Sequence, residues 1–250
     1  MTQNGASVLT HHPVVSHEEW LAARTAFLAR EKEFTRLRDQ LSEERRRLPW
    51  EAVTKTYVFE GPSGKRTLAE LFERRSQLVV YHAMFDPRNA SPSTSWTRDA
   101  ACQACSFWAD NFNGNIVHLN HRDVTLVAVS RAPHAALAAY QKRMGWTFTW
   151  VSSGDSDFNR DYQVSFTPEE VKQKRAYYNY TMQDPLLSER EGVSVFYKDP
   201  AGGVFHTYSA YARGIDLLNA AYNYLDLVPK GRDEGGQGLY WVRRHDEYDR

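Results

Sequence analysis

The sequence predicts an α/β domain with a mixed central sheet and helices on its faces, and three observations support this. Two almost uninterrupted apolar runs, 78–85 and 124–129, are typical of strands that are covered on both faces. A helix-like segment follows each run, so the order β-α-β-α indicates parallel strands joined by crossover helices. The strand-like segments 193–198 and 204–211 flank a turn of Pro and Gly residues, which predicts a closing antiparallel hairpin.

Both ends of the chain are expected to lie outside this domain. Residues 1–15 are polar and predict a disordered lead-in. A capping box of Ser16 and Glu19 begins a charged helix over 16–48, with apolar residues recurring near every seventh position. Two interpretations of this stripe stay open: the helix forms a homodimer, or it lies across its own domain. The tail, 231–250, is Gly-rich and then charged, and either wraps the surface or stays loose.

Within the predicted domain, 49–230, local signals place the shorter elements. Thr67 and Glu70 form a second capping box before a short helix. The Ala-rich segment 133–145 has Pro at its start and Gly just past its end, which is the usual asymmetry of a helix. A last helix is expected over 215–227, after the hairpin.

An aromatic-rich insertion, about 146–191, separates the second crossover helix from the hairpin. Trp146, Phe148 and Trp150 alternate along the chain in the manner of a strand. The segment is too long for an ordinary loop, so it should carry structure of its own. It is either a lid or pocket wall beside the functional site, or a packed part of the core.

The only two cysteines, Cys102 and Cys105, form a C-x-x-C motif. They follow the strand 78–85 across a polar loop and precede a helix-like segment, 106–113, which is the thioredoxin arrangement. In thiol–disulfide exchange one thiolate attacks and a second thiol resolves the mixed disulfide. Cys102 is the predicted nucleophile, because it lies nearer the partial positive charge of the helix N-terminus, and Cys105 the predicted resolving cysteine.

Composition limits the classes of partner and the compartment. The 31 basic and 31 acidic residues cancel, so no net charge directs the protein to nucleic acid or to an anionic membrane. No segment has the length and hydrophobicity of a signal peptide or of a membrane span, and a cytoplasmic protein is expected. Thiols are kept reduced there, so the pair is expected to be catalytic or metal-binding rather than structural. The expected partner is a thiol or disulfide substrate, possibly another protein, and no cofactor is expected.

The stretch from Cys102 to Asn111, after the strand 78–85, resembles a bacterial thioredoxin-like family catalogued as domain of unknown function 899. The resemblance extends from about His17 to Tyr224 and includes features of the alkyl-hydroperoxide-reductase branch of the superfamily. It implies a thioredoxin-like fold and redox chemistry at the cysteine pair.

Two departures from related proteins concern the site. Thioredoxins have a Trp before the first cysteine and a Pro inside the motif, where this chain has Ala101, Gln103 and Ala104. They also have a cis-proline before the penultimate strand, where this chain has Glu191 and Gly192. The usual backbone that positions the substrate is therefore not expected here.

The pattern Pro-x-x-x-Thr/Ser-x-x-Cys of peroxiredoxins is also absent. Asp99 lies three residues before Cys102, and Ser95 lies seven before it. A peroxidase is therefore not the first interpretation.

Alternatives to redox chemistry remain. His118 and His121 complete a C-x2-C-x12-H-x2-H spacing, which is close to that of a zinc finger. A non-catalytic binding protein with a thioredoxin fold is the other alternative. Under the leading interpretation, three further residues are expected to surround the sulfur pair: Trp96, Ser106 and Trp108.

Overall fold

In the computed structural model, which describes residues 12–154 and 156–248, the chain forms two compact units. The first comprises the described part of Met1–Pro49 together with Tyr224–Asp233. The second comprises Trp50–Asn223 and the described part of Glu234–Arg250. Most of the predicted lead-in, residues 1–11, lies outside the described residues.

The helices are α1 (His17–Arg46), α2 (Leu68–Leu71), α3 (Gln103–Ala109), α4 (Ile116–His121), α5 (His134–Met144), α6 (Phe158–Asp161), α7 (Pro168–Lys172) and α8 (Ala220–Leu225). The strands are β1 (Glu51–Ala52), β2 (Val58–Gly61), β3 (Gly64–Thr67), β4 (Gln77–His82), β5 (Val124–Ser130), β6 (Thr149–Ser152), β7 (Ala176–Tyr178), β8 (Thr181–Gln183), β9 (Gly192–Lys198) and β10 (Val204–Tyr211).

Within the described residues, the main sheet has eight strands in the order β1-β10-β9-β4-β5-β6-β2-β3. Strand β4 is parallel to β5, with Val80 opposite Val127, and antiparallel to β9, with Val80 opposite Ser194. Strand β9 pairs antiparallel with β10. The order β5-β4-β9-β10, with a crossover helix after β4, is that of a thioredoxin-like α/β domain, and the predicted fold class is confirmed.

The two central strands form because their side chains are covered on both faces. Val80 and Tyr81, adjacent in β4, are 0% and 1% exposed, and Val127 and Ala128, adjacent in β5, are both 1% exposed. Adjacent side chains of a strand point to opposite faces of the sheet. This burial explains why both strands appear in the sequence as continuous apolar runs. The predicted start and stop of α5 are also present, with Gly145 just past its end in a left-handed conformation at φ 65°.

The aromatic-rich insertion contributes a strand to the main sheet. Strand β6 pairs parallel with β5, and Ala128 lies opposite Trp150. Trp146, Phe148 and Trp150 are all buried, and their rings lie within 6.3 Å of one another. This part of the insertion therefore completes the core.

The helix predicted over 215–227 is wrong in its extent. Residues 212–218 form a 3-10 helix, and α8 begins only at Ala220. The break lies at Asn219, because its side-chain oxygen accepts a hydrogen bond from the Tyr222 N–H and so caps a new helix. The tail is packed rather than loose: Val242 and Arg244 are 2% and 5% exposed.

Helix α1 begins with the predicted capping box, in which Ser16 and Glu19 exchange hydrogen bonds. None of its residues is buried, and apolar side chains such as Trp20 and Phe34 are more than half exposed. The homodimer through this helix stays a prediction. No helix in the described part of the chain has the length and hydropathy that a membrane span requires.

Candidate active site

The loop between β4 and α3 is anchored on both sides of Cys102. The Cys102 N–H donates to the carbonyl oxygen of Met84, just past β4, at 3.0 Å. The N–H of Gln103 donates to the carbonyl oxygen of Ser95 at 3.1 Å. Cys102 thus stands at the N-cap position of α3, with extended backbone, and Cys105 lies in the first turn. This is the predicted order of strand, loop and cysteine pair.

Three neighbouring groups direct hydrogen bonds at the two sulfurs. The Ser95 hydroxyl donates to Cys102 Sγ at 3.0 Å, and the Cys105 N–H donates to the same sulfur at 3.4 Å. The Met84 N–H donates to Cys105 Sγ at 3.3 Å. The Cys102 sulfur therefore receives the helix-cap N–H and a hydroxyl, which together favour negative charge on it.

The pKa of the Cys102 thiol is lowered from its ordinary value. The largest cause is a hydrogen bond from the Cys105 side chain, and the hydrogen bonds from Ser95 and from the Cys105 N–H add to it. Burial and the Glu191 carboxylate oppose this effect. The net direction favours the thiolate at Cys102.

The pKa of Cys105 is raised well above its ordinary value. Burial is the largest cause, followed by the hydrogen bond and the negative charge of Cys102, and then by the Glu191 carboxylate. The pair is therefore asymmetric: Cys102 loses its proton more readily than Cys105 does. The predicted roles of the two cysteines require this asymmetry.

Two acids at the approach to β9 differ in environment. Glu189 is 1% exposed, and its Oε2 accepts a hydrogen bond from the Phe85 N–H at 3.0 Å. Burial, with the nearby charge of Asp86, raises the pKa of Glu189 to about 8. Glu191 is the acid whose charge raises the pKa of both cysteines, and its Oε1 accepts a hydrogen bond from the Tyr178 hydroxyl at 3.3 Å.

Two predicted neighbours of the sulfur pair, Trp96 and Trp108, are buried, and their indole N–H groups bind the backbone of the scaffold. The Trp96 indole N–H donates to the carbonyl oxygen of Asp86 at 3.0 Å and so ties the two ends of the loop together. The Trp108 indole N–H donates to the carbonyl oxygen of Ile215 at 2.9 Å. Both N–H groups are satisfied by backbone acceptors, as buried indoles require.

Ser106, the third predicted neighbour, contacts the backbone of Cys102. Its hydroxyl donates to the Cys102 carbonyl oxygen at 2.8 Å and lies 2.8 Å from the Tyr140 hydroxyl. On the opposite side of α3, the Tyr81 hydroxyl donates to the Cys105 carbonyl oxygen at 3.3 Å. These contacts fix the first turn of α3 without touching either sulfur.

Both sulfurs are closed off from solvent. Cys102 is 0% exposed and Cys105 is 2% exposed. The tail secures the loop from outside, because the guanidinium group of Arg244 donates two hydrogen bonds, at 2.7 and 3.1 Å, to the carbonyl oxygen of Ala101. Arg244 is itself 5% exposed and paired with Glu247. Contact between Cys102 and any molecule in solution therefore requires this loop to move.

The backbone before β9 departs from thioredoxins as the sequence predicts. No cis peptide bond occurs among residues 12–154 and 156–248. Gly192 is held by close packing: a Cβ atom there would lie 2.7 Å from Cδ1 of Tyr211 and 3.2 Å from a methyl group of Val164. A glycine is therefore needed at this position for space.

The structure does not support the zinc alternative. His118 and His121 are exposed on α4, whereas both cysteines are buried. In the described part of the chain, no three His, Cys, Asp or Glu side chains are arranged to hold a metal ion.

The sequence analysis missed three groups that shape the site. Ser95 entered it only as a departure from the peroxiredoxin pattern, although its hydroxyl contacts Cys102 Sγ. Asp99, the other departure, is exposed and accepts a hydrogen bond from the Thr97 hydroxyl. Glu191 was likewise noted only as a departure, at the cis-proline position, and Arg244 carried no local signal, because both act on the site through the tertiary fold.

Fold and site together define a thioredoxin-like protein with a buried, asymmetric pair of cysteine thiols. Residues 9–248 match the family described as "Bacterial protein of unknown function (DUF899)", and the chain belongs to this family. No curated protein matches the sequence.

Solved structures of peroxiredoxins are similar in part. The Xanthomonas campestris bacterioferritin comigratory protein, described with alkyl peroxide reduction activity, is 16% identical with a TM-score of 0.43, covering 68% of this chain and 94% of that one. The peroxidoxin BcpB from Mycobacterium tuberculosis is 12% identical with a TM-score of 0.41, covering 68% and 93%. The mitochondrial 2-Cys peroxiredoxin from Plasmodium falciparum is 14% identical with a TM-score of 0.39, covering 70% and 92%. These likenesses do not bear on activity.

Proposed function

We propose that this protein is a thiol–disulfide oxidoreductase in which Cys102 is the nucleophile and Cys105 the resolving cysteine. The observation that carries the proposal is the asymmetry of the pair. Hydrogen bonds from Ser95 and from the N–H and side chain of Cys105 lower the pKa of Cys102, whereas burial raises that of Cys105. A structural pair of buried thiols has no need of such polarisation.

In the first step, the Cys102 thiolate attacks one sulfur of a substrate disulfide. A new S–S bond forms between Cys102 and that sulfur, the substrate S–S bond breaks, and the other substrate sulfur leaves as a thiolate. The hydrogen bonds from Ser95 and the Cys105 N–H hold the Cys102 sulfur in place during the attack.

In the second step, Cys105 loses its proton and attacks Cys102 Sγ. The internal disulfide forms, the mixed disulfide breaks, and the second substrate thiolate departs, so two electrons pass from the dithiol to the substrate. Once Cys102 is in the mixed disulfide its negative charge is gone, and with it one of the causes that raise the pKa of Cys105. The resolving thiol thus becomes more acidic when it must react, and its proton neutralises the substrate thiolate that departs.

A non-catalytic binding protein with the same fold is the second candidate. The burial of both sulfurs favours it, since an enzyme must expose Cys102 to its substrate. Such a protein would show cysteines that oxidise slowly and do not exchange with added disulfides.

Trapping of the mixed disulfide separates the two candidates. Cys105→Ser and Cys102→Ser each keep one thiol, and both are incubated with glutathione disulfide and analysed by intact mass. We expect Cys105→Ser to take up one glutathione at Cys102 at least about tenfold faster than Cys102→Ser does at Cys105. Equal slow rates in both variants would favour the binding protein, and faster reaction at Cys105 would reverse the assigned roles.

A further inference from the structure

A polar pocket of about 240 Å³ opens at the edge of the main sheet where the parallel strands end. Arg131 follows directly after β5, and Ser156 follows β6 by four residues, and both line the pocket. The loop that carries Cys102 follows β4 at the same edge. In open α/β sheets this edge is where ligands bind.

Among the residues that line the pocket, two have a buried side-chain polar atom without a hydrogen-bond partner in the described part of the chain. These atoms are Oδ1 of Asn159, a residue that is 4% exposed, and the hydroxyl of Ser165, which is 7% exposed. Buried polar groups are nearly always paired, so an unpaired acceptor and an unpaired hydroxyl in one pocket indicate a ligand. The acceptor at Asn159 requires a ligand that donates a hydrogen bond.

A third unpartnered atom lies beside them. Ser165 and Glu189 stand opposite each other in an isolated antiparallel bridge, so their side chains share one face. Oε2 of Glu189 accepts a hydrogen bond from the Phe85 N–H, but its Oε1 has no partner in the described residues. Unpartnered polar atoms thus extend from the pocket toward Phe85. The preceding residue, Met84, donates a hydrogen bond to Cys105 Sγ.

The charged side chains of the pocket favour an anion. The guanidinium groups of Arg131 and Arg160 both line it. Arg160 also pairs with Glu170 at 2.9 Å, and Arg131 lies 3.9 Å from Oδ2 of Asp86. The Asp157 carboxylate, which pairs with Lys55 at 2.6 Å, lines the pocket as well, so the side chains that line the pocket carry two positive charges and one negative charge. Guanidinium groups match the geometry of a carboxylate.

We propose that this pocket binds a small carboxylic acid that also bears a hydroxyl or amino group. The carboxylate lies against Arg131 and Arg160, and the hydroxyl or amino group donates to Asn159 Oδ1. The proposal does not rest on thiol chemistry at Cys102.

Isothermal titration with two probes that differ by one hydroxyl tests this site. We expect L-malate to bind, and succinate, which leaves Asn159 Oδ1 unpaired, to bind about tenfold more weakly. Asn159→Ala should lower the malate affinity to that of succinate and leave succinate binding unchanged. Equal affinities of the two probes for the unaltered protein would overturn the proposed donor contact.

Substitution of the arginines tests the anion contact. Arg160→Gln, at a half-exposed side chain, should weaken malate binding about tenfold, and Arg131→Gln at least as much. Arg213→Gln is the matched control, because Arg213 is 87% exposed, pairs with Asp216 and does not line the pocket. If Arg131→Gln fails to fold by circular dichroism, Arg160→Gln alone decides. No malate binding at millimolar concentration, or equal binding by Arg160→Gln and Arg213→Gln, would overturn the proposal.

Discussion

The Ser95 hydroxyl donates a hydrogen bond to the Cys102 sulfur at 3.0 Å, although the two residues are seven positions apart on an irregular loop. The contact exists because the Gln103 N–H holds the Ser95 carbonyl oxygen at 3.1 Å and so folds the loop back over the helix start. One loop residue thereby favours the thiolate form of Cys102.

Ser95→Ala should make Cys102 less reactive. Without the hydroxyl, the pKa of Cys102 rises toward its ordinary value, because one hydrogen bond to the thiolate is lost. The rate of alkylation by iodoacetamide near neutral pH should fall about tenfold. Ser93→Ala is the control, since Ser93 is exposed on the same loop and bonds only to Ser91. Equal rates in the two variants would show that Ser95 does not affect the thiolate.

Arg244→Gln should expose the cysteine pair. The variant loses the charge-assisted hydrogen bonds to the Ala101 carbonyl oxygen, so the loop opens more often. We expect a loss of about 1 to 3 kcal/mol in the free energy of unfolding and faster amide hydrogen exchange in residues 95–101. Arg243→Gln, at an exposed neighbouring residue on the tail, should change neither the free energy of unfolding nor the hydrogen exchange of this loop. Unchanged exchange in the loop would mean that the tail does not secure it.

Glu189→Gln should alter the pH dependence of stability. The pKa of Glu189 is raised from 4.5 to about 8, so between these pH values the folded state holds a proton that the unfolded state has released. The contribution of this group is fully present below pH 4.5 and is lost as the pH rises to about 8.

The glutamine variant has no ionisable group at this position, so it does not lose stability in this way as the pH rises. Urea unfolding across that pH range should show the free energy of unfolding of Glu189→Gln rising relative to that of the native protein as the pH rises, by on the order of a few kcal/mol at most. Glu169→Gln, at an exposed acid of α7, is the control and should follow the native protein. A constant difference between Glu189→Gln and the native protein at every pH would contradict the raised pKa.

Gly192→Ala should destabilise the second unit. The new methyl group would meet the Tyr211 ring at 2.7 Å, and Tyr211 is 3% exposed and cannot move aside freely. We expect a loss of about 1 to 3 kcal/mol by thermal or chemical unfolding. Gly114→Ala is the matched control, because no atom lies within 4 Å of a Cβ atom there. Similar stabilities of the two variants would show that space at Gly192 is not limiting.

The sequence predicted the fold well because the signals for it are local. Apolar runs, capping boxes and the turn chemistry of the hairpin each depend on neighbouring residues. The strand-like alternation from Trp146 to Trp150 matches the structure only at its end, because β6 begins at Thr149 and includes Trp150 alone. The helix over 215–227 was predicted too long because no local pattern in the sequence marks Asn219 as a helix N-cap. Only the structure shows that its side-chain oxygen accepts a hydrogen bond from the Tyr222 N–H.

The site was predicted only in part because its electrostatics are tertiary. The two cysteines could be read from their spacing, but Glu191 and Arg244 approach them from distant parts of the chain. Trp96 and Trp108 were expected near the sulfurs on adjacency alone. Their indole N–H groups instead pair with the carbonyl oxygens that burial makes available.

Equilibration of the metal-free protein in glutathione redox buffers tests the central claim most directly. After each equilibration the free thiols are alkylated and counted by mass. The proposed function predicts a reversible two-electron transition to an intramolecular Cys102–Cys105 disulfide, with Cys102 alkylated first in the reduced protein. Two thiols that stay reduced, or that react equally slowly across all buffers, would contradict it.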